Sequence, residues 1–241
     1  MSSTKQQTGL VVSAHSADFV WRAGGAIALY ASRGWNMVVV CLSYGERGES
    51  AKLWREPGMT LERVKAARRE EAEKAAGILG ASVRFLDCGD YPLRVPDQAL
   101  FELVDIYREL RPAFVLTHSQ RDPYNFDHPL ATHVAQEARV IAQAHGHHPQ
   151  QGVLGAPPVF LFEPHQPEQC EWKPDVLLDI SPVWETKRRA FETMAAQEHL
   201  WEYYTRVALQ RGVQAARNSD LKIRYGEGYQ RVFPQVTVEL A

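Results

Sequence analysis

The stretch LVVSAHSADFVWRAGG, residues 10–25, decides the fold of this chain. Leu10 to Ala14 is a short continuous apolar run, the pattern of a strand covered on both faces. It gives way at once to the polar His15 and Asp18. Gly24 and Gly25 then open a helical stretch that runs to Arg33 and is closed by Gly34. A strand that ends in a polar turn and feeds a helix is the first half of a parallel crossover unit.

Reading outward, the same alternation recurs. Met37 to Leu42 (MVVVCL) is a second buried strand, and Thr60 caps a long amphipathic helix, LERVKAARREEAEKAAGILG, that stops at Gly80. Val83 to Leu86 reads as a strand, Asp97 to Leu110 as a helix, Ala113 to Thr117 as a strand and His128 to Ala144 as a helix. The order implies an α/β fold with a Rossmann-like, doubly wound, mainly parallel sheet. Further on, strands are expected at Val159 to Phe162 and Val176 to Ile180, then a long helix from about Pro182 to Arg211, forming a C-terminal cap. No linker or repeat divides the chain, so residues 10–241 are expected to form one domain behind a disordered tail, 1–9.

Composition narrows the function classes. The 241 residues carry 27 Lys and Arg against 29 Asp and Glu, and a net charge of −2 gives no electrostatic case for nucleic acid or an anionic membrane. No apolar run approaches the ~20 residues of a membrane span, and the short polar start lacks the apolar segment of a signal peptide. Cys41, Cys88 and Cys170 are odd in number and far apart, which fits reduced thiols in a cytoplasmic protein.

Ligands of open α/β sheets bind beyond the carboxyl ends of the strands. His15 follows the first strand, Tyr44 to Glu49 the second and His118 to His128 the fourth, so these polar residues are expected on one rim. His15 and Asp18, spaced i, i+3 at a strand exit, can point the same way, and His128 can supply a third ligand. Two imidazoles and a carboxylate with an open position suit zinc, with iron(II) or cobalt in its place. On its own an HxxD pair more often marks a hydrogen-bonded turn.

The surroundings of that pair change its weight. VVSAHSADFVWRAGG resembles the opening of the LmbE-like (PIG-L) deacetylase family, A-H-P-D-D followed by a Gly-Gly pair. SYGERG, RREEAEKAAGILG, NFDH in place of H-P-D-H, and the late IRYGEGYQRVF resemble further family segments in order. The resemblance implies zinc at His15, Asp18 and His128. It also implies Asp127 orienting a ligand, His118 beside the site, and Arg68 with Glu71 bracing the fold.

Two positions depart from the family pattern. The deacetylase base is Ala17 here, and the first histidine of H-P-D-H is Asn125. Amide hydrolysis needs both water activation and protonation of a poor leaving group, so losing both groups while keeping the ligands argues for other chemistry. Glu46 stands where the family commonly has an acid, and Glu49 where it has a small residue; Glu49 is the expected base and His165, after the strand VFLFEP, the expected acid. SADFVWRAGG and YGERGES resemble the 4-oxalomesaconate hydratase branch. That resemblance implies addition of water to an unsaturated tricarboxylate to give 4-carboxy-4-hydroxy-2-oxoadipate, in gallate and protocatechuate breakdown. Arg47, Arg121 and Arg224 are the candidate carboxylate partners. Tyr44, Tyr91 and Tyr124 are candidate pocket residues, and a homo-oligomer is expected. The alternatives are a zinc N-acetyl (N-acetylglucosaminyl) deacetylase in which Glu49 replaces the missing aspartate, and a metal-binding protein without turnover.

Overall fold

The computed structural model describes residues 6–148, 150 and 152–238. β1 (Thr8–Ser13) and β2 (Asn36–Cys41) lie side by side in parallel, Leu10 opposite Val38. Their side chains alternate between two cores: Leu10, Val12 and Val40 face one, Val11, Val39 and Cys41 the other. Burial on both faces explains the unbroken apolar runs. Thr8 and Gly9, expected in the tail, already belong to β1, because the Asn36 N–H donates to Gln7 O and extends the ladder; residues 1–5 of that tail lie outside the described residues.

Helix α1 (Asp18–Ser32) starts at Asp18, ahead of the expected Gly24–Gly25 opening. These glycines sit inside the helix because something must come close there. A Cβ on Gly25 would lie 2.6 Å from Ile180 Cγ2 and 2.7 Å from Glu227 Oε1. Glu227 accepts from the backbone N–H of Gly25 (2.6 Å) and Ala26 (2.8 Å), from Lys187 Nζ (2.6 Å) and from the Tyr229 hydroxyl (2.6 Å). A glycine inside a helix costs about 1 kcal/mol relative to alanine. Here that loss is offset by a buried, four-donor carboxylate.

A short helix, α2 (Ala51–Trp54), precedes α3 (Leu61–Leu79), whose caps are the expected ones: Thr60 Oγ1 accepts from the Arg63 N–H, and Gly80 adopts φ 79°. β3 (Ala81–Phe85), α4 (Asp97–Leu110), β4 (Phe114–Thr117), α5 (Asp127–Ala142) and β5 (Val159–Phe162) follow. Helices α1 and α3 cover one face of the sheet, α4 and α5 the other.

The C-terminal region departs from expectation. After β6 (Val176–Asp179), the single long helix is broken into a 3-10 turn (Ser181–Val183), α6 (Trp184–Phe191), a 3-10 stretch (Ala195–Leu200) and α7 (Trp201–Arg217). Gln197 breaks the helical path at φ −130°, ψ 34°. The cause is the fully buried Arg68, paired with Glu71 at 2.5 Å. Glu71 accepts from the Ala196 N–H (3.0 Å), and Arg68 Nη2 donates to Gln197 Oε1 (3.4 Å). This pair satisfies backbone and side-chain groups that an uninterrupted helix would hold elsewhere. β7 (Gly226–Arg231), a strand that the apolar pattern of GEGYQR does not announce, forms because it is paired on both sides, antiparallel to β5 and β6.

Among the described residues the seven strands run in the order β3-β2-β1-β4-β5-β7-β6, with β1 to β5 parallel. The chain direction of winding reverses between β1 and β4. A crevice opens there at the strands' carboxyl ends, and His15 and His118 stand just beyond those two ends.

Candidate metal centre and active site

Three imidazoles and four carboxylates converge on that crevice. His15 leaves β1, and Asp18 begins α1, its Oδ2 accepting from the His15 N–H at 3.0 Å. The turn thereby holds both side chains on one side. Asp18 Oδ2 also lies 3.0 Å from His15 Nδ1, and Glu49 Oε1 lies 3.2 Å from the same nitrogen. Two carboxylates facing an imidazole lone pair repel it, so a proton or a cation belongs between them. Burial alone would depress the His15 pKa, but Glu49, with the contacts to Asp127 and Asp18, overrides it and holds the pKa well above the ordinary 6.5.

His128 reaches the same point from the start of α5. Its Nδ1 lies 2.8 Å from Asp122 Oδ2, which acts as acceptor. Its Nε2, 3.5 Å from Asp18 Oδ1, is buried and has no hydrogen-bond partner. An imidazole whose outer nitrogen is held by a carboxylate and whose inner nitrogen is an orphan is arranged as a metal ligand. His15 is likewise held by a carboxylate on its outer nitrogen, with Nε2 3.2 Å from Asp127 Oδ2, while its Nδ1 faces Asp18 and Glu49. Ligand atoms of His15, Asp18, Glu49 and His128 all lie within 4.8 Å of one another. This mixed N and O donor set fits a divalent cation such as zinc.

The surrounding residues fix these groups. Asp127, first residue of α5, accepts from the Leu93 N–H (2.9 Å) and the Tyr91 N–H (3.1 Å) besides facing His15. Burial raises its pKa, yet the His15 contact and these backbone donors outweigh that and keep it below the usual carboxylate range. Asn125 Oδ1 accepts from the Asp127 N–H (3.1 Å), and its Nδ2 donates to Glu49 Oε1 (3.4 Å). His118 Nε2 accepts the Ala14 N–H at 2.9 Å, so that nitrogen carries no proton, and the ring stacks on His128 at 4.2 Å. Burial, reinforced by His128, pushes its pKa well down and keeps it neutral.

A cavity of about 220 Å³ opens onto the centre, bordered by Asp18, Glu49, Tyr91, Asn125, His128 and His165 among others. His165 stacks on Tyr203 at 4.1 Å, and its carbonyl accepts from the Tyr203 hydroxyl. Its loop is clamped by Glu163, which accepts from Arg211 Nε (2.7 Å) and Nη2 (2.5 Å). Burial, then the charge of Arg22, lowers the His165 pKa below 6.5. Glu49 is ionised: burial opposes this, but His15 dominates and lowers its pKa. Glu46, by contrast, turns beneath its own loop, accepts from the Tyr44 N–H (3.2 Å) and does not border the cavity. Ala17 is fully buried in the core beside α1.

The three candidate arginines are not brought to the cavity wall. Arg47 is half-exposed beside Glu46, Arg121 is exposed and paired with Glu171, and Arg224 lies over the Tyr225 ring. Loop position after a strand gave no information on which way these long side chains turn. Arg22, which the sequence reading did not single out, borders the cavity instead, with its Nε 3.5 Å from Asp18 Oδ1. Its i, i+4 spacing from Asp18 was the available signal. Asp122 was also missed, although it precedes His128 in the same loop. Of the three tyrosines, Tyr91 and Tyr124 line the cavity, whereas Tyr44 stacks on Phe85 and bonds Arg69. A broader vestibule of about 560 Å³, sharing Glu49, Tyr91 and Gln197, adjoins it, and His199 borders that vestibule.

The family described as PIG-L, GlcNAc-PI de-N-acetylase, matches residues 10–139. The chain is 66% identical to a 4-oxalmesaconate hydratase of Pseudomonas putida, over 99% of this chain and 94% of that protein. It is 28% identical to a diacetylchitobiose deacetylase of Thermococcus kodakarensis, over 91% of this chain and 80% of the other. The crystal structure of the 4-carboxy-2-hydroxymuconate hydratase from Pseudomonas putida superposes with a TM-score of 0.96 at 66% identity, covering 98% of this chain and 100% of that one.

Proposed function

The chain belongs to the PIG-L family, and from that premise we propose that it is a divalent-metal-dependent hydratase rather than a deacetylase. Its proposed substrate is 4-oxalomesaconate (4-carboxy-2-hydroxymuconate), hydrated to 4-carboxy-4-hydroxy-2-oxoadipate in bacterial gallate and protocatechuate breakdown. The observation that carries this reading is the 66% identity, over nearly the whole of both chains, to a 4-oxalmesaconate hydratase. Ala17 and Asn125 support it, because neither can move the protons that amide hydrolysis requires.

Zinc is the proposed ion, with iron(II) or cobalt as substitutes, held by His15, Asp18 and His128. Such a cation supplies Lewis-acid activation of water. Glu49, ionised and steadied by Asn125, takes the proton of the attacking water. The water oxygen bonds to one carbon of the conjugated double bond, and the π electrons move to the other. His165, made more acidic by burial and by Arg22, gives that carbon its proton; the enol left at the 2-hydroxyl then ketonises, its oxygen giving up a proton as the neighbouring carbon gains one, which yields the 2-oxo product. Asp127 and Asp122 hold the two imidazoles in orientation. Three free thiols support a reducing, cytoplasmic setting.

The test is hydration itself. Zinc-loaded protein mixed with the dienol tricarboxylate should abolish its conjugated ultraviolet absorbance, and metal-replete protein that leaves it unchanged would sink the proposal. The competing deacetylase reading draws on the 28% identity to the diacetylchitobiose deacetylase, and predicts acetate release from an N-acetylated sugar.

A further inference from the structure

Arg22 is more than nine-tenths buried on α1, one turn beyond Asp18, and two of its nitrogens, Nε and Nη1, have no hydrogen-bond partner. A buried guanidinium is ordinarily satisfied, since each unmet donor has given up its water and gained nothing in return. Nearby carboxylates do not meet this need: Asp18 Oδ1, 3.5 Å from Nε, is drawn toward the metal centre and makes no hydrogen bond to it. Among the described residues that border the 220 Å³ cavity, Arg22 is the one arginine or lysine. Beside it, Gln197 Oε1 accepts from Trp21 Nε1 (3.3 Å) and Arg68 Nη2 (3.4 Å), which turns its amide nitrogen away from both, as a donor. Trp21 and Tyr204 stack at 5.4 Å to give a flat wall next to the guanidinium.

We infer that Arg22 is the carboxylate anchor of this site: it binds the substrate carboxylate nearest the reacting double bond, with Gln197 as a second donor. The inference rests on the hydratase reading for its reaction, although the anchor itself requires only a polycarboxylate ligand. Arg22 is tied to Asp18 by one helical turn, about 6 Å of rise. It therefore holds the carboxylate at a set position relative to the ligands. When water adds, π electrons shift toward the carboxylate-bearing carbon and negative charge grows on that group. A guanidinium already in place stabilises this charge without reorganisation. Arg22 thus acts on both binding and rate, and it favours a carboxylate over the neutral acetamido group of a deacetylase substrate.

The experiment compares zinc-loaded wild type with Arg22→Met and Arg22→Lys. Three quantities are read: kcat and KM on the dienol tricarboxylate, zinc content, and calorimetric binding of tricarballylate, a saturated tricarboxylate. Removing one oxyanion donor commonly lowers rate about 10²–10³-fold. Arg22→Met should accordingly lower kcat/KM by about that factor, with KM raised, zinc retained and tricarballylate binding lost. Arg22→Lys keeps the charge but not the planar donors, and should recover only part of both. Tricarballylate bound equally by wild type and Arg22→Met would overturn the anchor, and so would zinc lost in parallel with activity. If Arg22→Met does not fold, Arg22→Lys decides: full kcat/KM in that variant overturns the inference. Arg22-dependent binding of tricarballylate by a wild type that hydrates nothing would support the anchor while refuting the hydratase reading.

Discussion

Replacing Glu49 by glutamine separates the two roles its position allows. Glu49 Oε1 lies 3.2 Å from His15 Nδ1, within the ligand cluster, and the side chain also borders the cavity. As a base it should contribute the 10²–10⁴-fold typical of positioned proton transfer, about 2.7–5.4 kcal/mol of barrier. Glutamine keeps the shape and the oxygen that accepts from Asn125 Nδ2, and removes the charge and the basicity. Metal binding should survive, because His15, Asp18 and His128 remain. The loss of a negative charge is countered at His15. Without the Glu49 charge one of the interactions that hold its pKa up is gone, while those of Asp127 and Asp18 remain, and a proton competes less with the cation. Initial rates from the ultraviolet decay and zinc by atomic emission measure both quantities on one sample. The expected result is a kcat at least 100-fold down with zinc content within about 20% of wild type. A kcat within threefold of wild type would show that Glu49 is not the base. Zinc lost in proportion to activity would make it a fourth ligand, and the proton would need another acceptor.

Asp122→Asn should weaken zinc binding about 10–100-fold, because it unties His128 Nδ1; chelator competition measures this, and unchanged affinity would remove Asp122 from the centre. Glu227→Gln should lower unfolding free energy by about 3–5 kcal/mol, the usual loss on breaking a buried ion pair. Glutamine's single oxygen cannot serve the four donors, and Lys187 is left charged; a urea midpoint equal to wild type would contradict it. His165 is pushed below 6.5 by burial and then by Arg22, and as an acid it must hold its proton. The kcat/KM profile should therefore fall with rising pH through a midpoint below 6.5, and His165→Ala should erase that limb. The same shift has a stability sign: protonation disfavours the folded state, so this contribution is lost as pH falls below 6.5.

Much of this arrangement was legible in residues 10–25 and in the strand–helix alternation that follows them, because strands buried on both faces must be apolar throughout and helices between them must be capped. Thr60 and Gly80 bounded α3 as read. The strand order then brought His15, Asp18 and His128 together from positions more than a hundred residues apart in the chain. What failed to show was the part determined by tertiary contact. Gly24 and Gly25 looked like a helix start, yet they are interior positions cleared for Glu227. The Pro182–Arg211 pattern is helical in periodicity, and a buried Arg68–Glu71 pair breaks it. The arginines chosen by loop position point elsewhere, whereas Arg22, hidden in an apolar helix beside Trp21, faces the cavity. A charged residue within a buried helical face was the clue.

The proposed reaction is the addition of water to a carbon–carbon double bond at this centre. Incubating zinc-loaded protein with the dienol tricarboxylate in ¹⁸O-labelled water, followed by mass spectrometry, tests it directly. A product heavier by one labelled water, formed as the ultraviolet absorbance disappears and formed at least 100-fold more slowly by Glu49→Gln, is the predicted result. Unchanged substrate with metal-replete protein, or acetate released from an N-acetylated sugar under the same conditions, would contradict it.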